Sequence, residues 1–127
     1  MTGGGTGGHV YPAIAIADEI LRRDSDAEII FVGTEHGIEN KIVPAVGYKL
    51  KRITVTGIYR KKIWKNIKTV KDLNRGIFEA KQIIRTFQPD IVIGTGGYVC
   101  GPVVFAAQRM KIKTYIHEQN AFPGLTH

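Results

Sequence analysis

The chain opens on Gly3-Gly4-Gly5-Thr6-Gly7-Gly8-His9, and that run stands directly ahead of a helical pattern. Without Cβ atoms the backbone can approach a ligand closely. The loop amides and the helix N-terminus then suit an anionic oxygen. The helix is predicted over Tyr11–Arg23, with Pro12 in its first turn and Ile14, Ala17, Ile20 and Leu21 on one face. The spacing Gly3, Gly5, Gly8 also satisfies the dinucleotide fingerprint G-x-G-x-x-G. Alone this is weak, because so many glycines satisfy several patterns. A flexible linker is the plainest alternative, and the helix directly behind the loop argues against it.

The rest of the chain alternates. Glu28–Gly33 reads as a buried parallel strand, Gly37–Val46 as a short helix stopped by Gly47, and Leu50–Val55 as a second strand. Ile63–Phe87 is largely helical with a break or bend around Asn74-Arg75-Gly76, and Pro89-Asp90 ends it. Ile91–Gly94 is another buried strand, Thr95–Pro102 a loop, and a helix runs on to about Met110. Thr114–His117 is the last strand and leads into the loop Glu118–Gly124. This order predicts an α/β fold, a Rossmann-like parallel sheet with helices on both faces. A phosphate loop normally follows a strand, yet only Met1 and Thr2 precede Gly3. The first strand is therefore expected to be missing or supplied by a neighbouring chain. Leu125-Thr126-His127 reads as the start of a helix, so the sequence is expected to be a fragment.

Length and composition set outer bounds. The 127 residues suit one domain with its own core, and a 43% hydrophobic fraction is ordinary for a globular protein. No apolar run approaches the roughly eighteen residues of a membrane-spanning helix, and no secretion signal opens the chain. The single cysteine, Cys100, cannot form an internal disulfide and fits a reducing compartment.

A second glycine loop, Gly94-Thr95-Gly96-Gly97-Tyr98-Val99-Cys100-Gly101-Pro102, follows a predicted strand. In a parallel sheet both loops emerge at the carboxyl edge, where ligands bind, so a two-phosphate ligand is favoured over a single phosphate. Tight strand-to-helix packing is the alternative. His117-Glu118-Gln119-Asn120 adds polar side chains at that edge. Adjacent strand residues point to opposite faces, so His117 and Glu118 make a poor metal site. Gln119 and Asn120 suit hydrogen bonds to a sugar or nucleotide, or equally a polar loop with a helix cap. His9, at the end of the first loop, is a plain loop histidine or a group that contacts reacting oxygens as a base.

The net charge of +7 is concentrated. Arg60, Lys61, Lys62, Lys65, Lys68, Lys71 and Arg75 face one acid, Asp72, within sixteen residues, so +6 of the total lies there. Ile63, Ile67 and Val70 recur at helical spacing, with Trp64 beside them. A basic amphipathic stretch with an aromatic suits an anionic lipid surface. A core-packing helix with a solvated lysine face is the alternative, and no recognition motif for nucleic acid accompanies the charge.

Taken together, GGGTGGHVYPAIAIA, GTGGYVCGP and HEQNAFPGLTH resemble the MurG family, the bacterial GlcNAc transferases that make lipid II, and the match runs through the whole chain. The resemblance implies that residues 1–127 form the N-terminal, acceptor-binding and membrane-associating domain of a two-domain GT-B enzyme, with the C-terminal donor domain absent. It implies transfer of GlcNAc from UDP-GlcNAc to lipid I, the undecaprenyl-diphosphate-linked muramyl pentapeptide, with inversion and with no metal or cofactor. By resemblance Gly5, Gly96, Gly97 and Tyr98 would hold the acceptor diphosphate. Thr6, Gly7, Gly8 and Asn120 would lie toward the donor, and His9 would assist catalysis. Lys61, Lys62, Ile63, Trp64, Lys65, Ile67 and Lys68 would dock on the cytoplasmic face of the membrane. Cys100 departs from the serine of many relatives. Two alternatives stay open: a non-catalytic membrane-recruiting subunit of a split GlcNAc transferase, and a nicotinamide-dependent oxidoreductase using Gly3, Gly5 and Gly8 with Glu35 as its ribose-binding acid.

Overall fold

The computed structural model describes residues 1–3, 7–35, 37–53, 67–96 and 99–117, with residues 7 and 67–73 described by backbone alone. Helices and strands alternate in the order α1 (Gly7–Arg23), β1 (Ile30–Gly33), α2 (Glu39–Ala45), β2 (Lys49–Arg52), α3 (Ile67–Phe87), β3 (Ile91–Gly94), α4 (Cys100–Arg109) and β4 (Lys113–Ile116). β1 pairs parallel with β2, Ile30 opposite Lys49 and Gly33 opposite Arg52. β3 pairs parallel with β4, Ile91 opposite Lys113 and Gly94 opposite Ile116.

Thr2 joins the two pairs. It forms parallel bridges to Val32 on one side and to Gly94 on the other. Its amide donates to the Ile93 carbonyl at 2.8 Å, the Thr95 amide donates to the Thr2 carbonyl at 2.8 Å, and the Val32 amide donates to the Met1 carbonyl at 2.8 Å. The spatial order is β2, β1, Met1–Gly3, β3, β4. Ahead of the glycine loop the short extended stretch Met1–Gly3 holds the central place through isolated bridges and not as a full strand, because each flanking strand turns alternate N–H and C=O groups toward it.

Side-chain alternation divides the core between two layers. Phe31 packs with Val10, Ala13, Ile14 and Ala17 of α1 and Val43 of α2. Its neighbour Val32 points the other way and joins Ala80 and Ile84 of α3, Val92, and Val103, Ala106 and Ala107 of α4. A parallel sheet covered on both faces is the expected Rossmann-like architecture.

Three local expectations change. α1 begins at Gly7, so Pro12 lies in its second turn. The carbonyl that Pro12 cannot satisfy belongs to Gly8, which is exposed to water. α3 runs unbroken through Asn74-Arg75-Gly76. Gly76 is buried and starts the stripe Gly76, Ala80, Ile84, so the glycine expected to bend the helix serves as a small contact residue. Ile91, expected inside a buried strand, is 38% exposed, because the line between β1 and β3 is filled only from Met1 onward.

Candidate functional site

From its central line the chain winds outward to β1 and β2, crosses through α3, and winds outward again to β3 and β4. The order of strands thus reverses between β1 and β3. Ligands of open α/β sheets bind at the carboxyl ends of the strands at such a point. Gly3, the start of α1, Thr95 and Gly96 all stand there.

Thr95 organises this point. Its hydroxyl donates to the His9 carbonyl at 2.6 Å and lies 3.5 Å from the Thr2 carbonyl. The side chain is 2% exposed. A Cβ on Gly3 would fall 1.9 Å from that hydroxyl, so only glycine lets the first loop pass over Thr95. The two glycine loops are thereby tied, one through the backbone of His9 and the other through Thr95 itself. Gly96 turns the second loop away with φ +107°, a left-handed conformation natural to glycine. Its amide donates to the Cys100 sulfur at 3.2 Å, and the Cys100 thiol donates to the Thr2 carbonyl at 3.5 Å. Cys100 is half-buried, at the first residue of α4, and it braces the loop from below.

A third loop, between β1 and α2, reaches the same edge. Glu39 is fully buried there, and its Oε2 accepts from the Thr34 amide at 2.8 Å and the Thr34 hydroxyl at 2.9 Å. The Asn40 side chain donates to the carbonyls of Thr34 and Gly37, and Arg52 at the end of β2 donates to Asn40. This loop is held by side chains rather than by a ladder.

His9 is half-buried in the first turn of α1, not in a loop as expected. Gly7 and Gly8 precede it in that turn, and Gly96 lies opposite across Thr95. His117 is exposed, and its amide donates to the Gly94 carbonyl at 2.7 Å, continuing the ladder beyond β4. Glu35 is exposed beyond the end of β1. Gly5, Thr6, Gly97, Tyr98, Glu118, Gln119, Asn120, Lys61, Lys62, Ile63, Trp64 and Lys65 lie outside the described residues, while Ile67 and Lys68 open α3 with only their backbone described. Sequence reasoning passed over Thr95, Thr2 and Glu39. A signal was available for the first: Gly-Thr follows or closes both β1 and β3, at Gly33-Thr34 and Gly94-Thr95, and each hydroxyl is hydrogen-bonded, Thr34 to nearby Glu39 and Thr95 to the distant His9 carbonyl.

The family model for the glycosyltransferase family 28 N-terminal domain matches residues 1–127. The chain belongs to this family. Within it, the chain is 58% identical over its full length to a UDP-N-acetylglucosamine--N-acetylmuramyl-(pentapeptide) pyrophosphoryl-undecaprenol N-acetylglucosamine transferase of Clostridioides difficile, covering 31% of that protein. It is 55% identical over its full length to the protein of the same name from Alkaliphilus oremlandii, covering 35% of it. The crystal structure of Acinetobacter baumannii MurG superposes with a TM-score of 0.83 at 31% identity, over 99% of this chain and 36% of that one. The chain thus spans about a third of the length of the relatives it matches. For a glycosyltransferase family 28 N-terminal domain, the paired glycine loops at the switch point are the natural candidate site. Among the described residues no group of His, Cys, Asp and Glu could hold a metal ion, and no helix is long and apolar enough to cross a membrane.

Proposed function

We propose that the chain is the acceptor-side portion of an inverting GT-B glycosyltransferase that moves GlcNAc from UDP-GlcNAc to lipid I, forming lipid II for peptidoglycan. The observation that carries this reading is the tie from Thr95 to the His9 carbonyl, which sets the start of the second glycine loop beside the first turn of α1 at the carboxyl edge of the sheet. A diphosphate offers anionic oxygens to several donors at once, and two loops with a helix start supply backbone amides without a metal. The names of the relatives, each transferring N-acetylglucosamine to a pyrophosphoryl-undecaprenol, support the same substrates.

In this reading Gly5, Gly96, Gly97 and Tyr98 surround the acceptor diphosphate, and Thr6, Gly7, Gly8 and Asn120 face the donor. His9 takes the proton from the acceptor hydroxyl as that oxygen attacks the anomeric carbon. The bond to UDP breaks on the opposite face, and the sugar inverts. Lys61, Lys62, Ile63, Trp64, Lys65, Ile67 and Lys68 rest on anionic headgroups at the cytoplasmic face of the membrane, where a lipid-linked diphosphate is presented. This portion by itself does not turn over, because the donor is held mainly by the rest of the enzyme.

The test uses the full-length protein. His9→Ala is expected to lower kcat by about a hundredfold or more, within the usual range for a lost general base, with little change in KM for UDP-GlcNAc. Near-normal kcat would remove His9 from the mechanism.

A further inference from the structure

His9 sits on the least self-supporting turn of α1. Gly7 and Gly8 precede it, and glycine restricts the backbone less than any other residue. Pro12 has no N–H to give the Gly8 carbonyl, so the helix lacks a bond in the turn that carries the histidine. Packing begins only behind it: Gly8 is exposed and His9 half-buried, whereas Val10 and Ala13 are fully buried. The place of His9 is therefore set in large part from outside the helix. Thr95 is built to set it. Its amide donates to the Thr2 carbonyl at 2.8 Å, which fixes its backbone to the central line of the sheet. Its side chain is buried, and branching at Cβ limits it to few rotamers. From that anchored position the hydroxyl donates to the His9 carbonyl at 2.6 Å.

We infer that Thr95 is a positioning residue for the transfer reaction: its hydroxyl holds the first turn of α1, and with it the His9 side chain, at a fixed distance from the glycine loop that follows at Gly96. The inference rests on the proposed role of His9 as the base. A base must lie within about 3 Å of the proton it takes, and a displacement of about 1 Å costs on the order of a hundredfold in rate. One hydrogen bond to the backbone of the base, made from the rigid centre of the sheet, removes the freedom that the glycines and Pro12 leave in that turn. The same residue leads directly into Gly96, whose φ of +107° turns the second loop. Thr95 thus sets the spacing between the group that takes the proton and the loop assigned to the acceptor diphosphate. Valine in its place keeps the bulk of the buried side chain and releases the carbonyl. Serine keeps the donor and loses only the methyl group that limits its rotation.

The test measures steady-state kinetics of the full-length enzyme with UDP-GlcNAc and a water-soluble lipid I analogue, well below the thermal midpoint of every variant. Thr95→Val is expected to lower kcat about tenfold and to leave KM for UDP-GlcNAc within about twofold, while Thr95→Ser keeps most of kcat. In a His9→Ala background Thr95→Val is expected to change kcat by less than about twofold, because no base remains to be positioned. An equal loss in both backgrounds overturns the inference, since Thr95 would then act without His9. A Thr95→Ser enzyme as impaired as Thr95→Val overturns it too, because the hydroxyl would not be the group that matters. Normal kcat in Thr95→Val beside a loss in His9→Ala overturns the inference and leaves the role of His9 standing. Near-normal kcat in His9→Ala removes that role and the inference with it.

Discussion

At the carboxyl end of the sheet the central line is tied to both neighbours through Thr2, Thr95 and the backbone of His9, while at the amino end the same two neighbours part around an open cleft. At each end the two flanking strands are alike, apolar at the amino end and closing on Gly-Thr at the carboxyl end. What differs is whether an extended stretch lies between the strands. Where Met1–Gly3 is present, polar backbone groups pair and Thr95 is buried. At the amino end Ile91 is exposed and the Met1 nitrogen is largely removed from water.

The carboxyl end is broken most directly at Gly3. Gly3→Ala puts a methyl group against the Thr95 hydroxyl and is expected to cost about 3 kcal/mol or more in chemical unfolding. In a Thr95→Ala background the same substitution should cost much less, because the obstructing oxygen is gone. Similar losses in both backgrounds would show that the contact does not set the requirement for glycine.

The amino end is sharpened by pH. The Met1 amine has a lowered folded pKa, so between about pH 8 and pH 6 the unfolded chain binds a proton that the folded chain does not. Stability therefore falls as pH drops through that window and is flat with respect to this group above 8 and below 6. The loss is expected to reach about 2 kcal/mol once water reaching a half-buried residue is allowed for. Acetylating the terminal amine should abolish that slope in urea titrations at matched pH. An unchanged slope would place its origin in another group.

The smallest effect is expected from Thr95→Val, which keeps the shape of the side chain and leaves the His9 carbonyl without its 2.6 Å donor. The expected loss is about 1–2 kcal/mol. Because the hydroxyl joins the loops, exchange of amides in the first turn of α1 should rise together with that of Gly96. A change confined to one loop would mean that the two are held separately.

The sequence by itself determined the parts governed by short-range periodicity. The alternation of strands and helices, the two glycine loops and the parallel sheet were all legible, because a helical face repeats every three or four residues and a buried strand is a short apolar run. Family membership was legible too, since its three motifs stand in the chain in order. The tertiary structure decided what depends on partners far away in the chain. Thr95 is an ordinary turn residue until Thr2 and His9, more than eighty positions earlier, are set beside it. Gly76 reads as a break until the buried stripe of α3 uses its small size. Ile91 reads as core until the line beside it proves open. Glu39 reads as a helix-start acid until Thr34 encloses it. A residue's own chemistry sets what it can do locally, but burial and hydrogen-bond partners belong to pairs, and long-range pairs exist only once the chain has folded.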